Sequence, residues 1–421
     1  MRTRGCIIAA MLLGLWLLPQ GVAAQERQEQ SDSLAQRVRE LEAKLDSLQR
    51  VIEQLIAEGR DTVEAVDELA ALRAAARAIV PEEPADTAPR QYVLRSGNLN
   101  DLNPEIGITG DVRLTANRPG PQTDNVDLRE FQFGFRSALD PYSAVRLYFS
   151  LGENEFGLEE AYVFWTGVPG GIRLDLGRFR QRAGELNRWH LHSLPESEYP
   201  MVITEYFGET GLVGDGLGAY WAAPFQTIGG AVHELWGQAT VGGNDVLYEA
   251  GDRLSFLGHL NNFWQVSRST YFQLGGTAAY GENPDSSLKT TTLGTDFRLT
   301  WRPPERAMYT SLTVRAEGFW VRQRFAGVGD WRFGGYVGVA AQVSRRLHLG
   351  GRIDYVELLG GTGGHNWALV PEITWWQSEW MLFRVEWQRL SEPAVDGGRQ
   401  TRDLFVLQTI WSIGPHKHER Y

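Results

Sequence analysis

The segment Glu130-Phe131-Gln132-Phe133-Gly134-Phe135-Arg136 places an aromatic side chain at every second position. Successive side chains of a β-strand point to opposite faces, so this segment predicts a strand with one apolar and one polar face. The next segment, Val145-Arg146-Leu147-Tyr148-Phe149-Ser150, alternates in the same way. The pattern recurs in runs of roughly ten to fifteen residues from about Asn103 to Ile413, which predicts about sixteen strands.

The predicted strands are joined alternately by short turns and longer polar links. Short turns are predicted at Asp140-Pro141, Val168-Pro169-Gly170 and Ala223-Pro224. This layout and an even strand number are typical of outer-membrane barrels. A soluble β-sandwich is the alternative, but its strands are usually about half as long. We therefore predict an all-β transmembrane barrel of about 16 antiparallel strands over residues 103–421.

The composition agrees with a β-rich membrane protein. The chain has 47 Gly, 15 Trp, 14 Tyr and 18 Phe, which suit turns and interfacial aromatic belts. We expect Trp165, Trp301 and Trp387 to lie near strand ends at the membrane interfaces. Hydrophobic residues make up 43% of the chain, and no stretch after Ala24 is long and apolar enough for a membrane-spanning helix. The net charge of -11 argues against a nucleic-acid partner.

Residues 1–24 are typical of a secretory signal peptide. Arg2 and Arg4 precede an apolar run over residues 7–18, and Val22-Ala23-Ala24 supplies the small residues of a cleavage site. A membrane anchor is the alternative, but the run is shorter than the roughly 20 residues that a spanning helix needs. The single cysteine, Cys6, lies in this peptide, so the mature chain should contain no disulfide and no cysteine metal site.

Residues 25–80 predict a periplasmic coiled coil, separated from the barrel by a linker over residues 81–102 that begins Pro81-Glu82-Glu83-Pro84. A helix packed on its own protein is the alternative. Leucine or β-branched residues fill the a and d positions of a heptad repeat, and the number of helices in the coil stays open. The d positions are Leu34, Leu41, Leu48 and Leu55, and the a positions are Val38, Leu45 and Ile52.

The polar face of the strands supplies candidate pore-lining residues. If the apolar face meets lipid, the other face should line a water-filled lumen, and charges of both signs there describe a polar pore. The alternative is that these charges are cross-strand ion pairs that only stabilise the wall. The candidates are Arg136, Arg146, Arg173, Asp175, Arg298, Arg315, Glu317, Arg352 and Arg384.

Several short motifs resemble the phosphate-selective porin O and P family from about Leu102 to Tyr421. They are Asn103-Pro104-Glu105-Ile106, Ala138-Leu139-Asp140-Pro141-Tyr142, Glu159-Glu160-Ala161-Tyr162, Leu174-Asp175-Leu176-Gly177-Arg178-Phe179-Arg180 and Leu186-Asn187-Arg188. The resemblance implies a sixteen-stranded trimeric pore. The best-known members of that family are similar to one another in relying on lysine-rich binding stretches in the pore. This barrel has only Lys289 and Lys417. Arginine can bind phosphate in a bidentate way, so an anion pore remains a hypothesis.

The resemblance also implies a constriction loop. If the first strand starts from the periplasm, the link after the fifth strand, about residues 182–208, is external, and in sixteen-stranded porins the loop at that position folds inward. An ordinary surface loop is the alternative. The candidate constriction residues are Arg182, Glu185, Arg188, His190 and His192.

An alternative for His190 and His192, with Glu196 and Glu198 nearby, is that they bind a metal ion. A His-x-His pair in a polar loop is common, and no further ligand spacing supports a metal here. We therefore predict no metal and no other cofactor.

Together these features predict a non-enzymatic outer-membrane porin through which small hydrophilic solutes or ions diffuse passively, with anions such as phosphate as one hypothesis. The expected partners are the lipid bilayer, the solutes and two further copies of the chain in a homotrimer, with peptidoglycan as a candidate partner of the coil. The alternative is a structural envelope protein whose barrel anchors the coil, since residues 34–58 would form a rod of roughly 38 Å.

The coiled coil generates a first testable prediction. Deletion of residues 25–80 should leave a folded barrel that forms weaker oligomers, because the apolar seam of the coil has no evident partner within the chain. Oligomers of the full and truncated chains would be compared in mild detergent by light scattering. A truncated chain that cannot insert into membranes would contradict the division into coil and barrel.

Overall fold

The computed structural model describes residues 104–118, 125–152, 156–241, 244–249, 253–360, 363–394 and 397–414. The predicted signal peptide, coiled coil and linker lie outside the described residues. The predicted barrel lies largely within them.

Sixteen antiparallel strands form one closed barrel, as predicted. Each strand pairs with its neighbours in sequence, and β1 closes the barrel on β16 through a ladder that runs from Ile108 opposite Ile413 to Arg118 opposite Asp403. The strands are β1 (Glu105–Arg118), β2 (Asn125–Asp140), β3 (Ser143–Leu151), β4 (Phe156–Val168), β5 (Ile172–Arg180), β6 (Val213–Thr227), β7 (Ala231–Val241), β8 (Leu254–Gln265), β9 (Thr270–Glu282), β10 (Leu288–Trp301), β11 (Ser311–Phe325), β12 (Trp331–Gln342), β13 (Leu347–Glu357), β14 (His365–Trp376), β15 (Met381–Pro393) and β16 (Arg399–Ile413).

The two faces of the barrel wall have opposite character. Leu217, Ile373 and Val385 are more than half exposed on the outer face, whereas Gln132 and Glu386 are buried on the inner face. Exposed apolar area costs about 25 cal/mol per Å² in water, so an outer band of this kind is stable only against an apolar medium. The alternation read from the sequence therefore belongs to an inside-out barrel rather than to a soluble sandwich.

Two β-bulges, in β2 and β4, interrupt the alternation of inward and outward side chains. In β2, Asp111 pairs with Glu130 and Val112 with Leu128, which leaves Arg129 as an extra residue. In β4, the partners of β3 skip Glu159 in the same way. A bulge re-aims side chains locally, so two consecutive residues can point into the barrel.

The turn between β6 and β7 differs from the prediction. The predicted turn at Ala223-Pro224 is wrong, because β6 continues to Thr227 with an irregular register between Ala222 and Gln226. Proline has no N–H to donate and is tolerated at such irregularities. The chain reverses instead at Gly229 and Gly230, whose φ angles of 79° and 73° are readily adopted by glycine.

Two links on one rim of the barrel contain short helices. The β5–β6 link holds α1 (Met201–Phe207), and the β7–β8 link holds α2 (Asp245–Tyr248). The Asn244 side chain caps α2 by accepting a hydrogen bond of 2.7 Å from the Leu247 backbone N–H. No helix among the described residues is long and apolar enough to cross a membrane.

Of the three tryptophans expected at strand ends, two lie there and one does not. Trp165 and Trp301 lie close to the ends of β4 and β10 and are 38% and 43% exposed. For Trp387 the prediction of a strand end is wrong, because β15 continues six residues beyond it. Its indole N–H donates to Asp403 on the neighbouring strand at 3.0 Å.

The exposed tryptophans provide a test of the lipid-facing surface. Brominated lipids should quench part of the tryptophan fluorescence of the reconstituted protein, because indoles on the outer face would contact the bilayer. The variant Trp301→Phe should lower the quenched fraction. The matched variant Trp236→Phe, which changes an inward-facing ring, should not. Equal quenching in dissolved and membrane-reconstituted protein would contradict the lipid-facing assignment.

Candidate pore and its inward loop

Residues 181–212, here called the inward loop, lie inside the barrel. Val202, Ile203 and Tyr206 in this loop are fully buried. The loop reaches opposite parts of the wall, since Glu185 binds Arg298 of β10 at 2.9 Å and Glu198 binds Arg129 of β2 at 2.7 Å. The link after the fifth strand therefore crosses the lumen and divides it.

An apolar cluster attaches α1 to the inner face of β11–β13. Four α1 residues at adjacent helical positions share one face and pack into this cluster. The Phe207 ring contacts that of Phe319 edge-on, with 5.0 Å between ring centroids. Its fully or almost fully buried members include Val202, Ile203, Tyr206, Phe207, Leu247, Phe319, Val321, Tyr336 and Val356. Burial of each large side chain contributes about 1.5–3 kcal/mol, so the cluster holds α1 firmly against the wall.

Gly334 of β12 makes this close approach feasible. A Cβ atom at Gly334 would lie 2.7 Å from Val202 Cγ2 and 2.8 Å from Val356 Cγ2. Contacts this short would push the helix away from the sheet. The glycine is therefore a requirement of helix packing inside the barrel.

Charged wall residues anchor the first part of the inward loop. Glu317 accepts backbone hydrogen bonds from Glu185 at 3.1 Å and from Leu186 at 2.9 Å. Glu185 in turn forms ion pairs with Arg298 at 2.9 Å and with Arg315 at 3.8 Å. These candidate pore-lining residues thus contact the loop, and Glu185 faces the wall.

A second group of charged residues anchors the middle of the loop. Arg352 binds Glu196 of the loop and Asp354 of its own strand, each at 2.9 Å. Arg384 donates to the Leu194 carbonyl at 3.1 Å. The structure therefore places the candidates Arg352 and Arg384 beneath the loop, where their charges meet carboxylates or carbonyls.

The two β-bulges hold the loop histidines. His190 Nδ1 lies 2.7 Å from Glu159 of the β4 bulge, and His192 Nδ1 lies 2.7 Å from Glu130 of the β2 bulge. The rings stack with centroids 5.9 Å apart, but each contacts a separate carboxylate. Within the described ranges, no group of three or more His, Cys, Asp or Glu side chains could hold a metal ion.

A cavity of about 110 Å³ remains between the inward loop and the inner faces of β3–β7. It is lined by Arg146, Tyr148, Glu160, Tyr162, Arg173, Asp175, Phe179, Arg180, Arg182, Arg188, Trp189, His190, Ser193, Tyr220, Glu234, Trp236 and Gln238. The structure thus brings together Arg146, Arg173 and Asp175 from the predicted lining set with Arg182, Arg188 and His190 from the predicted constriction set. Arg136, opposite Arg146 in the β2–β3 register, is not in the lining.

The cavity lining carries more positive than negative charge, with five arginines against three carboxylates. Arg173 pairs with Asp175 at 2.7 Å, and Arg180 pairs with Glu159 at 3.0 Å. Arg182 is buried with its guanidinium 4.7 Å from the Trp236 ring centroid. Burial and the neighbouring Arg188 lower the pKa of Arg182. Surplus positive charge in a cleft with low-dielectric walls attracts anions.

Sequence reasoning did not identify the aromatic part of the lining. Tyr220 and Trp236 line the cavity, whereas the sequence predicts aromatic residues in belts at the membrane interfaces. The signal available was strand phase, because Trp236 falls in phase with Glu234 and Gln238 of β7. Tyr148 faces inward for the same reason, since it alternates with apolar residues in β3.

Sequence comparison matches a short part of the chain to another protein. No family model matches the chain. An uncharacterized protein of Aquifex aeolicus (strain VF5) is 34% identical over 86 residues, which are 20% of this chain and 18% of that protein. This chain therefore spans about a fifth of that relative's length.

Solved structures of outer-membrane porins cover most of the chain. An anion-selective porin from Comamonas acidovorans has a TM-score of 0.55 at 9% identity and covers 74% of this chain and 99% of its own. OprB of Pseudomonas putida has a TM-score of 0.52 at 11% identity and covers 75% of this chain and 95% of its own. OmpF of Salmonella typhi has a TM-score of 0.51 at 10% identity and covers 75% of this chain and 99% of its own. The protein has the porin fold.

The buried ion pairs under the loop make a testable contribution to stability. Arg352→Met should destabilise the protein by about 3–5 kcal/mol, because it leaves buried carboxylates without their cation. The matched variant Arg402→Met removes a pair with Glu392 whose side chains are 43% and 35% exposed, so it should cost less than about 1 kcal/mol. Thermal unfolding in detergent would measure both variants, and equal midpoints would contradict the anchoring role of Arg352.

Proposed function

We propose that the protein is an outer-membrane porin that conducts small hydrophilic anions by passive diffusion. Two observations support a membrane channel, namely the exposed apolar outer face of the closed barrel and its porin fold. The inward loop leaves a cavity beside β3–β7, and we place the conduction path along it. No covalent step or cofactor enters this mechanism.

The positive lining of this cavity carries the proposal that anions are preferred. The arginines under the loop are neutralised by carboxylates, as Arg352 is by Glu196 and Asp354. The cavity lining instead has a surplus of arginine, and Arg182 and Arg188 enter it from the loop. An anion in the cavity would therefore be stabilised electrostatically, and a cation would be destabilised.

Phosphate is one anion that this lining could conduct, since arginine can bind it through two parallel hydrogen bonds. Among the described residues, no lysine lines the cavity. Lys289 is half exposed and lies 3.5 Å from Glu282, and Lys417 lies outside the described residues. We therefore propose a general anion pathway built from arginine.

We further propose that the barrel works as a homotrimer in the outer membrane, with the coil of residues 25–80 in the periplasm. Lipid would contact the apolar outer face, and peptidoglycan is a candidate partner of the coil. A barrel that conducts no current in planar bilayers would instead favour a structural role, with the barrel as a membrane anchor.

Charge reversal in the inward loop tests the anion preference. Arg182→Glu/Arg188→Glu should shift the chloride-to-potassium permeability ratio from above one to below one, because the positive surplus of the lining is reversed. The reversal potential in a potassium chloride gradient would measure this ratio.

The control for this experiment is Arg345→Glu/Arg346→Glu, an equal charge change at exposed positions in the β12–β13 turn. It should leave the ratio near that of the unmodified protein. Unchanged selectivity in the loop variant would place the conduction path elsewhere, and a cation-selective unmodified protein would overturn the proposal.

A further inference from the structure

The cavity lining combines two kinds of side chain that recognise different parts of a solute. Eleven of its seventeen residues are arginine or aromatic, and five of these are arginines. The aromatic members come from the wall and the loop and are Tyr148, Tyr162, Phe179, Trp189, Tyr220 and Trp236. A small inorganic anion would use the guanidinium groups and gain nothing from this amount of ring surface.

Four of the aromatic side chains form two pairs on consecutive strands of the cavity wall. On β6 and β7, the rings of Tyr220 and Trp236 lie 4.8 Å apart. On β4 and β5, the rings of Tyr162 and Phe179 lie 6.2 Å apart. Rings along this wall offer stacking and edge contacts to a flat apolar group in the cavity.

Arg182 lies next to the first aromatic pair. Its guanidinium covers the Trp236 ring, and its Nε atom is buried without a hydrogen-bond partner among the described residues. A buried N–H without a partner is unfavourable by about 1–3 kcal/mol, and a carboxylate is the acceptor that suits a guanidinium best. A ligand carboxylate at Arg182 would place the rest of the ligand against Tyr220 and Trp236.

We propose that the cavity preferentially binds aromatic carboxylates during their passage, with the carboxylate at Arg182 and the ring against Tyr220 and Trp236. This inference rests on the proposed anion porin and specifies its solute class. Binding is transient, because a channel must also release its solute.

The experiment uses the full chain in planar bilayers with benzoate as the probe. Benzoate and acetate have the same charged group, so their difference reports the ring. Benzoate should reduce the chloride current by half at a roughly fivefold lower concentration than acetate, which is the scale of one aromatic contact. Inorganic phosphate should resemble acetate, and benzyl alcohol, which has the ring without the charge, should not block.

Tyr220 allows a matched pair of variants. Tyr220→Leu removes the ring and should bring the benzoate and acetate values together. Tyr220→Phe removes the hydroxyl group, which donates to Glu234 at 2.9 Å, but keeps the ring and should retain the difference. Trp375→Leu, which changes an exposed ring on β14, should behave like the unmodified protein.

The outcomes separate this inference from the function on which it rests. An anion-selective channel that benzoate and acetate block equally would overturn the aromatic preference and leave the porin in place. A silent or cation-selective channel would overturn both. The comparison in the unmodified protein decides the matter even if Tyr220→Leu does not fold.

Discussion

The packing of α1 against the inner face of β11–β13 is the interaction on which the functional part of this protein depends. It places an apolar core inside a barrel whose inner wall otherwise combines charged, polar and aromatic side chains. A helix and the chain that carries it occupy that side, and the cavity described above lies away from it, along β3–β7. Hydrophobic burial therefore fixes which part of the interior the helix occupies.

The same arrangement divides the interior charges into two populations. Charges beneath the loop are buried and would be costly without partners, so Arg352 and Glu185 are each held by opposite charges. Along the cavity, Arg173 and Arg180 are also paired with carboxylates, but the lining as a whole has five arginines against three carboxylates. One strand pattern thus supports both loop anchoring and the proposed passage of anions.

The β-bulges connect these two populations. By turning Arg129 and Glu130 inward together, β2 can bind Glu198 and His192 of the loop at once. Glu159 of the β4 bulge binds both His190 and Arg180, which line the cavity. A regular strand would direct one of each pair of consecutive residues to the lipid face, where a charge is unfavourable.

The sequence by itself determined the strand number, the inside-out polarity of the barrel and the link that carries the constriction candidates, because a period of two is a local property that each strand shows separately. It did not reveal α1 and α2, which are too short for a periodic signal and are stable through contacts such as that of Phe207 with Phe319. It placed nine charged residues on the inner face as one class. Only the tertiary structure decided that Arg146 and Arg173 line the cavity while Glu317 and Arg352 hold the loop, because that depends on which part of the wall the loop covers.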